Sequence, residues 1–325
     1  MALETIDCPV CGPGTARLML RARDLNLLLP GEFEIQRCRS CSLAFISPRP
    51  DAESIGDYYP TRYWSPPTPE GRRPYLDAGM KRTLDALVRD YPGGRVLDVG
   101  CAVGNLPAQM RQRGLDAVGL EPYEHACQIA REHYGLEVDC AFLQDTSYPD
   151  ESFDAVTLFD VLEHVHDPLG DLRKIHALLK PGGSVYIKVP NVDALQRSLF
   201  GHFWYAPDPP RHLFHFSPKS TARMLKAAGF ATVDSRAIPE PEGAMVFEVS
   251  TLYMLRALLW RLRGVEVTPQ EGHDMTQVLE GKVYSSVPSA GKRAFRWFIK
   301  RIAYAPWAIE NLIGRSVEVL AVGRK

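Results

Sequence analysis

A chain of 325 residues has room for one large α/β domain with appendages, or for two ordinary domains. Its 45% hydrophobic and 24% charged fractions suit a globular protein with a buried core, and a formal net charge of −1 supplies no general basic field for nucleic acid. MALETIDCPVCG at the start lacks the basic segment and apolar run of a secretory signal, and no run of about 18 uncharged apolar residues spans a bilayer, so a cytoplasmic location is expected.

Residues 1–50 read as a small cysteine-bearing module. Two CxxC pairs, Cys8/Cys11 in CPVCG and Cys38/Cys41 in CRSCS, flank a strand-like middle. Four thiolates in this spacing can surround one Zn²⁺ as a tetrahedron, and four protein ligands make a closed, structural site. Cys101, Cys127 and Cys140 lie scattered. Residues 51–74 are rich in Tyr and Pro and read as an ordered linker or lid. Tyr58, Tyr59, Tyr63 and Trp64 there could form an aromatic cover, or pack as linker.

From residue 75 to 325 one domain is expected. Apolar Leu76, Met80, Leu84, Leu87 and Val88 predict a helix over 75–90. RVLDV is a buried strand, and Asn105 to Gly114 a helix closed by glycine. DAVGLE is a second strand, followed by a helix from His125 to Tyr134 that stops at Gly135. FDAVTLF, the helical DPLGDLRKIHALLKPGG and the strand SVYIKVP come next. A Ser-Pro start opens the helix SPKSTARMLKAAGF before the strand ATVDSRA, and SVEVLAVGRK is the last strand. Such alternation predicts an α/β fold, a mostly parallel sheet wound on both faces. Residues 240–314 break the pattern as a helical insertion. Within it 251–263 and 291–313 interleave Arg or Lys with Trp, Phe and Leu, which suits a peripheral contact with the inner face of a membrane or a cap with snorkelling basic side chains.

The loop GCAVG after RVLDV brings backbone N–H groups toward a ligand at a helix start. It lacks the third glycine of a dinucleotide loop and the Lys-Ser/Thr of a P-loop. About twenty residues on, Glu121 ends the next strand, where a carboxylate can accept from both hydroxyls of a ribose. The expected ligand is therefore a nucleoside without a pyrophosphate.

VLDVGCAVG, VGLEP, YPDESFDAVTLFDVLEHVHDP and LLKPGGSVYIKVPN, in this order, resemble the successive motifs of class I S-adenosylmethionine-dependent methyltransferases. The resemblance covers roughly residues 75–237 and the final strand. With the cysteine module and PRHLFHFSP, the chain is similar to bacterial methyltransferases found with sugar, polysaccharide and natural-product genes. The resemblance implies a seven-stranded, Rossmann-like sheet whose last strand is antiparallel. It implies that Asp98, Gly100, Cys101 and Gly104 wrap the methionine part of S-adenosylmethionine, and that Glu121, followed by Pro122, holds the ribose. Phe142 and Leu143 would flank the adenine, and Phe159 and Asp160 would follow the strand that faces the sulfonium. Ala102 stands where relatives usually carry glycine, and fits there if its backbone dihedral is ordinary.

Methyl transfer from a sulfonium is an in-line displacement, and a hydroxyl acceptor must also lose a proton. Asp160, Glu163 and His164 share one face if that short piece is helical, and His212 lies in a Pro-bounded loop that can reach the same sheet edge. His212 could be the general base. Alternatively Asp160, Glu163, His164 and His212 could hold a divalent metal, a pattern similar to small-RNA terminal 2′-O-methyltransferases, or Glu163 and His164 could simply buttress the cofactor loop. His215 reads as a packing residue, while Trp204 and Tyr205 could add stacking surfaces to the pocket. The expected reaction is O-methylation of a small-molecule or glycan acceptor: a sugar, a glycan precursor or a secondary metabolite. C-methylation of a keto-sugar and a zinc-ribbon RNA-modifying protein are the alternatives.

Overall fold

The computed structural model describes residues 2–27, 29–59, 76–262, 301 and 303–325. The cysteine module contributes β1 (Leu3–Glu4), β2 (Ala16–Ala22), β3 (Phe33–Cys38), β4 (Ala44–Ile46) and β5 (Arg49–Pro50). The rest of the chain runs α1 (Ala78–Asp90), β6 (Arg95–Val99), α2 (Asn105–Gln112), β7 (Asp116–Leu120), α3 (Glu124–Tyr134), β8 (Glu137–Asp139) and β9 (Phe153–Phe159). It continues through α4 (Pro168–Leu178), β10 (Leu179–Pro190), α5 (Leu195–Phe200), β11 (Phe214–His215), α6 (Pro218–Ala227), β12 (Thr232–Ile238), α7 (Glu242–Leu262) and β13 (Glu318–Arg324).

Seven of these strands form one sheet in the order β12-β13-β10-β9-β6-β7-β8. Every pairing is parallel except those of β13, which runs antiparallel to both β10 and β12. The strand order reverses between β6 and β9, so the carboxyl ends of these two strands flank the crevice where open α/β sheets bind ligands. Strand residues alternate between two cores. Leu97, Val99 and Val118 pack on one face, Val96, Ala117 and Ala155 on the other, as a sheet covered on both sides requires.

The helices start where their caps dictate. Asp77 accepts from the Met80 N–H ahead of α1, and Asp167 accepts from the Gly170 N–H ahead of α4. Ser217 and Ser220 form a reciprocal capping box on α6, with Pro218 in its first turn. The expected elements are present, with α2 ending at Gln112 and α4 at Leu178. Lys180 to Gly183 belong to the irregular start of β10 rather than to the helix. The edge strand β8 has no counterpart in the expected elements.

The N-terminal module shares a strand with the body of the protein. Its sheet has the order β11-β4-β3-β2, so the fourth strand is supplied by residues 214 and 215 from the body of the protein. Cys8, Cys38 and Cys41 lie in the same buried cluster as Phe45, Phe214 and Leu158. The helical insertion before β13 is present as α7 and a helical stretch over 303–312. Residues 60–75, which include Tyr63 and Trp64 of the expected lid, and residues 263–300, which include part of the expected membrane-facing stretch 291–313, lie outside the described residues. Among the described residues no helix is long and apolar enough to cross a membrane.

Candidate functional site

The loop after β6 turns on three left-handed residues: Gly100 (φ 71°), Ala102 (φ 48°) and Gly104 (φ 87°). The N–H groups of Gly100 and Cys101 both donate to the Leu120 carbonyl, at 2.7 and 3.1 Å, which ties the loop to the end of β7. A Cβ on Gly100 would stand 2.3 Å from Val161 Cγ2, and one on Gly104 would stand 2.5 Å from Leu136 Cδ1, so neither position admits a side chain. Ala102 therefore departs from expectation. Its dihedral is not ordinary but left-handed, at a cost of roughly 1–2 kcal/mol for an L-residue.

Glu121 holds that strained turn in place. One carboxylate oxygen accepts from the Ala102 N–H and the other from the Tyr123 N–H, each at 3.0 Å. Each oxygen keeps a second lone pair for a ligand hydroxyl. Burial raises the Glu121 pKa, and the two N–H donors oppose that rise. Asp98 is buried beneath the loop and accepts from the Thr157 hydroxyl at 2.5 Å. Burial carries its pKa up to about 7, against the Thr157 hydrogen bond.

Of the other residues expected around the cofactor, Cys101 and Phe159 are buried and Pro122 is exposed. The adjacent pair Phe142 and Leu143 is split. Phe142 is 67% exposed beside the crevice, whereas Leu143 packs into the core with Leu97 and Val118. Cys127 and Cys140 are not isolated thiols. They form a disulfide that links α3 to the segment leading into Phe142.

Across the crevice, residues 161–164 form a turn, not a helix, with the His164 N–H on the Val161 carbonyl. This corrects the expected arrangement of Asp160, Glu163 and His164 on one helical face. Asp160 (φ 58°) turns aside to pair with Lys188 Nζ at 2.9 Å, and Lys188 also pairs with Asp77 at 2.5 Å. Burial opposes the Lys188 charge, but Asp160, Glu318 and Asp77 together raise its pKa.

The group that does converge is Glu163, His164 and His212, with one donor atom from each within 4.8 Å of the others. The expected four-residue set therefore loses Asp160. The two imidazoles meet edge to face at 4.6 Å. Nδ1 of His212 lies 2.9 Å from the Ala206 carbonyl, and Nδ1 of His164 lies 3.0 Å from the Arg211 carbonyl and 3.0 Å from the Tyr59 hydroxyl. A carbonyl only accepts, so both Nδ1 atoms carry the proton and both Nε2 lone pairs are left for other chemistry. Burial lowers the pKa of both rings, strongly for His212, so both are neutral near pH 7. Glu163 is 1% exposed, and neither carboxylate oxygen has a hydrogen-bond partner among the described residues. Burial first, and the Asp160 charge second, push its pKa well above the usual carboxylate range.

His215 is buried on β11 opposite Ala44, as a packing residue should be, and burial takes its pKa down to about 4. Trp204 and Tyr205 pack in the core beneath the helical insertion. Sequence reading missed Arg211, the largest fully buried side chain among the described residues, which grips Asp208 and Asp24. A lone arginine in a proline-rich loop gives no signal of such a role.

In the N-terminal module the sulfurs of Cys8, Cys11, Cys38 and Cys41 all lie within 4.8 Å of one another, with Cys8 and Cys41 at 3.5 Å. A thiolate tetrahedron with metal–sulfur bonds of about 2.3 Å has edges of about 3.8 Å, so the four fit such an ion. The Cys41 N–H points at Cys38 Sγ at 3.5 Å, the backbone-to-sulfur contact of a metal knuckle.

A seven-stranded sheet with one antiparallel strand next to its edge, a glycine-turned loop after the first strand and an acid at the end of the second define the class I methyltransferase fold. The profile of the family described as "Methyltransferase domain" matches residues 71–235, half of the chain, and the chain belongs to that family. Curated relatives include two proteins named ubiquinone biosynthesis O-methyltransferase. One, from Pseudomonas aeruginosa, is 38% identical over 30% of this chain and 45% of its own length. The other, from Neisseria meningitidis, is 32% identical over 45% of this chain and 68% of its own length. The chain thus spans about half the length of the first curated relatives it matches. A solved structure of Haemonchus contortus phosphoethanolamine N-methyltransferase 2 with S-adenosyl-L-methionine has a TM-score of 0.50 and 17% identity, covering 87% of this chain and 62% of that one.

Proposed function

We propose that this protein transfers the methyl group of S-adenosylmethionine to a hydroxyl of a small-molecule acceptor: a sugar, a glycan precursor or a secondary metabolite. Bound S-adenosylmethionine supplies an electrophilic methyl on a sulfonium. Glu121 holds the ribose, Asp98 and the loop from Gly100 to Gly104 hold the methionine end, and Phe142 covers the adenine. His212 takes the acceptor proton through Nε2. One observation carries this assignment: Nδ1 of His212 is committed to the Ala206 carbonyl at 2.9 Å, which leaves a neutral ring with its basic nitrogen free. The relatives named as O-methyltransferases support oxygen as the acceptor atom.

The test is a panel of nucleotide-sugars and glycan intermediates, scored by release of S-adenosylhomocysteine. With an acceptor in hand, His212→Ala should lower turnover and leave cofactor affinity intact; unchanged turnover removes the base assignment. Because burial holds the His212 pKa well below 6.5, kcat at saturating cofactor should show no loss from His212 protonation as the pH falls from 8 toward 6.5. A product methylated at carbon would favour the keto-sugar alternative.

The unpartnered oxygens of Glu163 favour a second reading, in which Glu163, His164 and His212 hold a divalent cation that grips vicinal hydroxyls. Turnover lost to a chelator and restored by Mn²⁺ or Mg²⁺, at constant zinc content, selects this reading over the base. Zinc in the module is the remaining part of the proposal, as a structural ion held by Cys8, Cys11, Cys38 and Cys41.

A further inference from the structure

Arg211 is 0% exposed, yet it sits between two histidines of the reaction site and the N-terminal module. Its guanidinium donates to both oxygens of Asp24, at 2.8 and 3.0 Å, and to both oxygens of Asp208, at 2.5 and 2.9 Å. A fifth hydrogen bond goes to the Tyr58 carbonyl at 3.3 Å. Its own backbone carbonyl accepts the His164 Nδ1–H, and the Asp208 carbonyl accepts the His212 N–H at 3.1 Å. Asn26, whose N–H is capped by Asp24, donates its side-chain amide to Asp208 and accepts from the Tyr253 hydroxyl on α7. The loop that carries both imidazole contacts is therefore fastened by one cation whose second counter-ion, Asp24, comes from a segment 187 residues away.

We propose that Arg211 is a positioning residue through which the N-terminal module, by way of Asp24, sets the orientation of His164 and His212, so that the module completes the reaction site instead of merely docking on it. The inference rests on the reading of His212 and His164 as reaction-site groups. A bidentate guanidinium fixes position and angle together, which a single hydrogen bond does not. Burial makes the restraint stiff, because a carboxylate that loses the guanidinium is left as an uncompensated buried charge, and a guanidinium that loses one aspartate gives up two of its directing hydrogen bonds. Asp208 adopts a left-handed φ of 34°, a conformation that needs such outside support. The neighbouring cross-module contact, Arg37 to Asp193 at 2.8 Å twice, fastens the module elsewhere and reaches neither imidazole. It supplies the control.

The test compares Asp24→Asn with Asp193→Asn in the full zinc-loaded chain. Asp24→Asn should lower kcat tenfold or more while the dissociation constant for S-adenosylhomocysteine stays within twofold. The hydrogen-bonded Nδ1–H resonances of His164 and His212, followed with ¹⁵N-histidine, should broaden or move. Asp193→Asn should change neither kcat nor these resonances. Asn26→Ala, which loosens Asp208 without unpairing any charge, keeps the question open to experiment if Asp24→Asn does not fold, and it should lower kcat several-fold. Equal effects of Asp24→Asn and Asp193→Asn, or unmoved imidazole resonances in both Asp24→Asn and Asn26→Ala, overturn the proposal. The resonances need no turnover, so an error in the assigned reaction and an error in the coupling give different results.

Discussion

Asp98 offers the most direct check on the electrostatics of the site. It is 4% exposed, accepts one hydrogen bond from Thr157 and has its pKa raised by burial from 3.8 to about 7. The folded protein therefore holds this proton more tightly than the unfolded chain. Between those two values the native state binds the extra proton, so stability falls as pH rises through the window, and the whole penalty is present above pH 7. At 1.36 kcal/mol per unit the complete shift corresponds to about 4 kcal/mol, of which about 2.5 kcal/mol develops between pH 5 and pH 8. Asp98→Asn keeps the shape and a partner for Thr157 but has nothing to titrate. Urea unfolding of both proteins at several pH values between 5 and 8 should show the variant gaining on the parent by about that 2.5 kcal/mol. Contributions from the cysteines and histidines cancel in the difference. A stability gap that does not change with pH would refute the reasoning, since it would mean that Asp98 is already charged in the fold throughout that range. The variant should also bind S-adenosylmethionine more weakly, because the cationic ligand favours the charged carboxylate.

Three further outcomes follow from the same loop and from the cysteine module. Ala102→Gly releases the left-handed strain at φ 48° but gives the unfolded chain more freedom, so a net gain of about 0.5 kcal/mol is expected, seen as a small rise in Tm. Gly104→Ala combines a φ of 87° with a Cβ 2.5 Å from Leu136 Cδ1 and 3.0 Å from Ala130 Cβ, and should cost about 2 kcal/mol or more by denaturant titration, with cofactor binding weakened as α2 shifts. Cys41→Ser should release zinc, measured by a colorimetric chelator, and lower stability by several kcal/mol, roughly, because Cys8, Cys38 and Cys41 belong to the core that also contains Phe45 and Phe214.

What could be read from the chain alone follows the range of the signal. The parallel strands announce themselves as short apolar runs, the helices by caps such as Ser217-Pro218, and the cysteine knuckles by spacing. All are local. The three-residue β8 exposes two of its residues and has too short a pattern to register. The 161–164 turn was ambiguous because four residues satisfy a helical spacing without forming a helix. The disulfide between Cys127 and Cys140, the pairing of β4 with β11 and the Asp24–Arg211 contact are tertiary: nothing in the local sequence specifies which distant partner each residue meets. The same holds for Glu163, whose identity was legible as a candidate but whose want of a hydrogen-bond partner among the described residues is visible only in three dimensions.

The strained positions explain why this polar architecture is so concentrated. Among the described residues five non-glycine residues have positive φ, and three of them, Ala102, Asp160 and Asp208, stand around the crevice. Each is held by a separate device. Glu121 fixes Ala102 through its N–H, Lys188 takes both the side chain and, through its carbonyl, the N–H of Asp160, and Arg211 with Asn26 fixes Asp208. A backbone in a sparsely populated region persists only where its surroundings over-determine it. The buried ion pairs at Lys188 and Arg211 are poor sources of net stability, because desolvation offsets most of their attraction. Their value lies in direction: each holds a turn that a neutral, well-packed side chain would let relax. On that view the charges flanking the crevice serve geometry first, and replacing Arg211 and its two aspartates with apolar residues of similar volume should preserve or raise stability while turnover falls.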